Sequence, residues 1–182
     1  MPEYRTHPRP SIGSLQADAD LVPFGGGAAS TRDLGLAYAM VGLREQNPTY
    51  LERAFRLLQE TVARGRADAL TLAYLAEFYR DRKDDAHALP LYEEAWRMDP
   101  TQSAVAAALG AYQMQGGHFD QAIRFWNQTL AISPALVLVR ANLAAALLRT
   151  AQAEQAQETL RKALEFQPSF QAARDVLDRI TK

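Results

Sequence analysis

Between Ala69 and Gln102 apolar side chains recur at the helical interval. Leu72, Leu75, Ala76 and Tyr79 stand at i, i+3, i+4 and i+7, one face of a helix. Ala88, Tyr92 and Ala95 define the face of a second helix, and polar residues fill the positions between. The pattern then repeats. Pro100 returns as Pro134 and Pro168 at a strict interval of 34 residues, Leu75 as Leu109 and Leu143, and Ala88 as Ala122 and Ala156. Ala95 becomes Thr129 and Ala163, while Tyr92, Trp126 and Leu160 share one large apolar position. A fixed period of roughly 20–50 residues marks stacked repeats, and this spacing fits a helix–turn–helix unit. Alanine lets two helix backbones approach, and the large residue between fills the wider gap. The proline cannot continue the second helix and is expected to set φ for the first turn of the next.

The pattern predicts helices near 69–82, 85–98, 102–115, 118–132, 136–149 and 152–166, with Gly116 and Gly117 at the turn of the third unit. Pro90 falls inside a predicted helix, removes one backbone bond and is expected to kink it. Residues 169–181 read as a closing helix, with Leu177 and Ile180 toward the last repeat and Arg174, Asp175, Asp178 and Arg179 toward water. Upstream, Leu34, Gly35 and Tyr38 match the first helix of a unit, and Ala54, Leu58 and Thr61 match the second. Seven extra residues lie between the two groups. They amount to about 10 Å of helical rise and keep the faces in phase. The first helix is therefore expected over 31–46, broken at Asn47-Pro48, and the second over 49–64 with Gly65 as its C-terminal cap. Ser30-Thr31-Arg32-Asp33 has the form of a capping box with Asp in the acidic position.

Residues 1–29 break the pattern. Pro2, Pro8, Pro10 and Pro23, closed by Gly25, Gly26 and Gly27, predict an irregular arm. The glycines form a hinge rather than a phosphate loop, because no Lys-Ser/Thr follows and no strand precedes. Leu21, Val22, Pro23 and Phe24 are expected to dock on the first unit at Leu36, Met40 and Leu43 as an N-terminal cap. The rival is that they lie in a groove or on another molecule.

Composition narrows the chemistry. The 182 residues fit about one domain, and the net charge of −1 argues against nucleic acid as a partner. No apolar run is long enough to insert in a membrane, and no signal-peptide core is present. Cysteine is absent, so disulfides, thiolate nucleophiles and Cys-based metal sites are excluded together. His7, His87 and His118 have no ligand partner at i+3 or i+4, which gives no metal site. Asp84-Asp85 and Glu93-Glu94 are sequence neighbours that diverge on a helix and read as solvated faces. Asn127-Gln128-Thr129 fits a glycosylation acceptor, but Thr129 holds a packing position. The residues support neither catalysis nor a bound cofactor.

At these registers the chain resembles the tetratricopeptide repeat (TPR) family. The small residue of its first helix is Ala76, Gly110 and Ala144, the alanine of its second is Ala88, Ala122 and Ala156, and its large residue is Tyr92, Trp126 and Leu160. The usual first-helix aromatic is replaced by Leu72, Ala106 and Arg140, and Gln113 stands where tyrosine is common. The resemblance implies an all-α, right-handed solenoid of four units, 30–68, 69–102, 103–136 and 137–168, with residues 169–182 as a capping helix. It implies a peptide-binding groove lined by the first helices: Leu70, Ala73, Tyr74, Glu77, Arg80 and Asp81, then Ala104, Ala107, Ala108, Ala111, Met114 and Gln115, then Leu138, Ala141, Asn142, Ala145, Leu148 and Arg149. Such a shallow apolar trough suits an extended or helical peptide. The alternative is that its alanines serve helix packing alone. The carboxylate clamp some members use, built from Lys and Asn, is missing: its positions hold Ala73 and Glu77, Ala107 and Ala111, and Ala141 and Ala145.

The arm also resembles the linker into the C-terminal TPR region of bacterial multihaem c-type cytochromes. That resemblance makes His7 a candidate axial ligand to a haem carried elsewhere, since no Cys-x-x-Cys-His is present to attach one here, whereas the residues themselves favour His7 as a solvated arm residue. The expected function is a non-catalytic protein-interaction scaffold for a protein or peptide ligand. The alternative is a structural or self-associating module. The absence of cysteine does not fix the compartment, which is the cytoplasm by default and the periplasm or exterior if the cytochrome resemblance holds.

Overall fold

The computed structural model describes residues 30–181. The arm, with His7 and the 21–24 segment, lies outside them. Nine α-helices and no strands are found among the described residues: α1 (Ser30–Glu45), α2 (Pro48–Ala63), α3 (Ala69–Asp81), α4 (Asp85–Met98), α5 (Ser103–Gln115), α6 (Phe119–Ile132), α7 (Val137–Arg149), α8 (Ala153–Phe166) and α9 (Gln171–Ile180). Consecutive helices pack as hairpins, and each hairpin packs on the next, so substantial contacts join near neighbours in sequence.

One layer of side chains explains the pairing. Ala54, Ala88, Ala122 and Ala156 are each fully buried. Leu58, Tyr92, Trp126 and Leu160, one helical turn on, fill the space beside them. Ala95 and Ala163 complete the face, as do Thr61 and Thr129 in the other two hairpins. A buried threonine is tolerated because its hydroxyl donates to the carbonyl one turn back, Leu57 at 2.8 Å and Phe125 at 2.9 Å.

The seven inserted residues lengthen both helices, and the connection between them is one residue shorter than that between α3 and α4. Counted from the matching small residues, α1 runs five residues further than α3, and α2 begins three residues earlier relative to its alanine than α4 does. Gly42 lets the lengthened helices touch, since a Cβ there would come within 2.8 Å of the Leu51 side chain. Asn47 caps α2, accepting from the amides of Thr49 at 3.0 Å and Tyr50 at 3.3 Å, with Pro48 in the first turn.

Two expectations need correction. Pro100, Pro134 and Pro168 do not set the first turn of the next helix. Helices α5, α7 and α9 begin three residues later, at Ser103, Val137 and Gln171, so each proline sits in the connecting turn. That turn is closed by polar groups: Asp99 accepts from the Thr101 amide at 3.0 Å, and Arg140 donates to the Pro134 carbonyl at 2.8 Å. Arg174, one repeat on, does the same for Pro168. The surface expected to receive the arm is also altered. Leu36 is buried in the first core cluster, while Met40 and Leu43 are 61% and 51% exposed. Helix α4 continues through Pro90 without interruption.

The first helix of every hairpin ends in the same way. A residue in the left-handed region follows it: Gln46 (φ 51°), Lys83 (φ 62°), Gly117 (φ 77°) and Ala151 (φ 58°). The next amide bonds five residues back: Asn47 to the Gly42 carbonyl, Asp84 to Tyr79, His118 to Gln113 and Gln152 to Leu147, at 2.8–2.9 Å. Glycine alone adopts this φ freely, and only Gly117 of the four supplies it. Ala151→Gly should therefore stabilise the fold by about 1 kcal/mol in urea denaturation. A fall in the midpoint would contradict the strain argument.

Asp68 links the first two hairpins. As the N-cap of α3 it accepts from the Thr71 amide at 2.9 Å and hydroxyl at 2.7 Å, and it pairs with Arg32 of α1. Burial alone favours its neutral form. The Arg32 and Thr71 donors together outweigh that and hold the carboxyl down at about 2. The folded value lies below the unfolded one, near 3.9. The associated stability is thus present above about pH 4 and lost as pH falls toward 2. Asp68→Asn keeps a capping oxygen but should remove this component from an acid titration of the thermal midpoint. An identical acid slope in both proteins would refute the assignment.

At the far end α9 seals the stack. Ala173 is fully buried, with Phe170, Val176, Leu177 and Ile180 packed on the last core cluster. Arg174, Asp175, Asp178 and Arg179 are exposed.

Candidate partner-binding groove

Helices α3, α5 and α7 border a trough of about 650 Å³. Its α3 wall carries Glu77 and Arg80, and its floor is Ser103, Ala104, Ala107, Ala108 and Ala111 of α5. The opposite wall is Ala135 and Leu136 of the connecting turn, then Val137, Leu138, Val139 and Asn142 of α7. The small α5 side chains leave the space open. Leu138 is 67% exposed and Leu136 40% exposed, so apolar surface faces solvent with no side chain upon it. A second hollow of about 320 Å³ shares Arg80, Ala108 and Ala111 and adds Asp81, Lys83, Asp85, Tyr112 and Gln115.

Among the residues expected in the groove, Glu77, Arg80, Ala104, Ala107, Ala108, Ala111, Leu138 and Asn142 come together in the trough, and Asp81 and Gln115 join the second hollow. The others do not. Ala73 is 8% exposed and belongs to a core cluster. Tyr74 packs on the first cluster, and Met114 and Leu148 pack on the last. Arg149 lies 5.1 Å from the centre of the Phe119 ring. Leu70 and Ala145 are exposed and Ala141 is half-buried, all outside the trough lining. Sequence reading missed Ser103, Ala135, Leu136, Val137 and Val139. The connecting turn forms the lip because α7 starts three residues after Pro134, and its only sequence signal was the proline itself.

The charge in the trough is already compensated. Glu77 accepts from the Tyr92 hydroxyl at 2.5 Å and pairs with Arg80. Burial, reinforced by Glu77, raises the Tyr92 phenol well above its ordinary value, so it stays a neutral donor. Burial and then the Asp85 carboxylate, which accepts from Tyr112 at 2.7 Å, raise Tyr112 as well. Ser103 meets Ser133 at 3.0 Å across the connecting turns. An occupant therefore meets an apolar floor beside a satisfied ion pair. No cluster of three or more His, Cys, Asp or Glu that could hold a metal occurs among the described residues. No described helix is long and apolar enough to cross a membrane.

The repeating hairpins, their alanine seams and the closing helix agree with a family assignment by sequence: the tetratricopeptide repeat family model matches residues 113–180. Over residues 113–180 the chain is a tetratricopeptide-repeat protein. Solved structures extend the likeness over the remaining hairpins of this TPR fold. MamA AMB-1 superposes with a TM-score of 0.68 at 21% identity, over 82% of this chain and 78% of that one. YrrB, described as a TPR protein with an unusual peptide-binding site, gives 0.62 at 17% identity, over 78% and 73%. The first TPR of Spaghetti (RPAP3), bound to the HSP90 peptide SRMEEVD, gives 0.57 at 19% identity, over 63% and 90%. No curated protein matches the chain by sequence.

Proposed function

We propose that this TPR protein is a non-catalytic interaction scaffold that binds a segment of a partner protein in the trough between α3, α5 and α7. The observation that carries the reading is the trough itself: an open volume of about 650 Å³, floored by alanines and walled by exposed leucines. Two structural neighbours are described as peptide-binding, which supports the same reading by analogy. The ligand chemistry differs from that of a carboxylate clamp. Glu77 stands in the groove with Ala107 and Ala111, and a free C-terminal carboxylate would meet no lysine there. An apolar segment suits this surface, its side chains covering Leu136 and Leu138.

A pull-down with mass spectrometry would identify the partner. Ala107→Glu or Ala111→Glu should then weaken binding at least about tenfold, because each forces a carboxylate into the desolvated floor. Circular dichroism and the thermal midpoint should show the variants folded. Undiminished affinity in a folded variant would overturn the proposal.

A further inference from the structure

Glu77 and Arg80 form an ion pair on the α3 wall of the trough, but its two halves are held unequally. Glu77 is anchored from beneath. The Tyr92 hydroxyl donates to Glu77 Oε1 at 2.5 Å, and Tyr92 is fully buried in the seam between α3 and α4. Leu58, Trp126 and Leu160 take the equivalent place in the other hairpins, and none of them carries a hydroxyl. Arg80 is tied only to Glu77 among the described residues, and its side chain is 43% exposed. An exposed pair three residues apart on a helix is weak, so the guanidinium can swing toward water at little cost while the carboxylate stays.

The adjoining hollow repeats the arrangement. Asp85 accepts from the Tyr112 hydroxyl at 2.7 Å, and the Tyr112 and Tyr92 rings lie with centroids 6.0 Å apart. The cations there, Arg80 and Lys83, sit on long, flexible stems. The fixed charge along the trough is therefore negative and the positive charge is movable. A carboxylate offers about four acceptor sites, and Tyr92 and Arg80 use two of those on Glu77. A wholly apolar occupant would strip water from the others and replace it with nothing, which is unfavourable.

We propose that the trough selects a segment with a lysine or arginine among its apolar residues, the cation docking on Glu77 while leucine-like side chains cover Leu136 and Leu138. This rests on the trough being the binding site and adds the charge of its occupant.

The test screens the full chain against an array of N-acetylated, C-amidated octapeptides of random sequence without cysteine. Bound peptides should combine apolar residues with one lysine or arginine. In the strongest of them, replacing the basic residue by glutamine should weaken binding about tenfold, the value of one charge-assisted hydrogen bond. Glu77→Gln should erase that difference. Tyr92→Phe, which keeps the buried ring, should reduce it, and Arg80→Met should leave it intact. Ala104→Trp, at an exposed position on the floor, should fill the trough and abolish binding, with circular dichroism showing every variant folded. Binding retained in Ala104→Trp, or an array that captures nothing, would overturn the trough reading and this inference with it. Loss of binding in Ala104→Trp together with acidic residues in the bound peptides, or an undiminished preference for the basic residue in Glu77→Gln, would overturn the charge assignment alone.

Discussion

Gly110→Ala should destabilise the protein by about 1–3 kcal/mol, although alanine is the better helix former by about 1 kcal/mol. A Cβ at this position would stand 2.5 Å from Nε1, 2.7 Å from Cδ1 and 2.9 Å from Cε2 of Trp126. The indole cannot yield easily. It is 2% exposed, and its N–H donates to the Ala107 carbonyl at 3.2 Å. The chain contains its own controls: alanine is accommodated at the equivalent position of α3, with Tyr92 as the large residue, and of α7, with Leu160. Trp126→Leu should therefore rescue Gly110→Ala. Alone it leaves a cavity and costs on the order of 2 kcal/mol. Combined with Gly110→Ala it recreates the α7–α8 pairing. Urea denaturation of the double-mutant cycle should show favourable coupling within the roughly 0.5–3 kcal/mol seen for contacting residues. Strict additivity would mean that the glycine is not there for the indole.

Ala122→Leu should cost about 1–3 kcal/mol or more, because the added side chain has no space between α5 and α6. Ala122 is fully buried, as are Ala54, Ala88 and Ala156 in the other three hairpins. The neighbouring exposed Gln121→Leu serves as the control and should change stability by less than about 0.5 kcal/mol. Equal midpoints for the two variants would show that the alanine seam does not set the helix spacing.

The helices were legible because their signal is redundant. The same small and large residues return at one interval, so a weak indication in one unit is corrected by the others. Even the displaced first unit could be placed through Gly35, Ala54 and Leu58. The proline was misread because its backbone restriction suits both a helix start and a connecting turn. What decides between them is the polar closure by Asp99, Arg140 and Arg174, which no local pattern announced. The groove was half legible. Repeat position indicates which way a first-helix residue points, and that was enough for Ala104, Ala107, Ala111 and Leu138. It does not tell how far neighbouring helices close over a given residue. Ala73 is covered while Ala104 is not, and Leu136 enters from a turn that carries no periodic signal.

The contact pattern along the hairpins has a consequence for how order spreads through the chain. Because helices touch chiefly those close by in sequence, no distant segment has to be found before the first interactions form, and folding should be fast for this length. The same arrangement makes cooperativity a local property, passed from one hairpin to the next across each shared face. A defect at Trp126 is therefore felt most by α5, α6 and α7 and less with each further hairpin. In hydrogen exchange, protection would be graded along the chain, with an interior break dividing it into two parts that open separately.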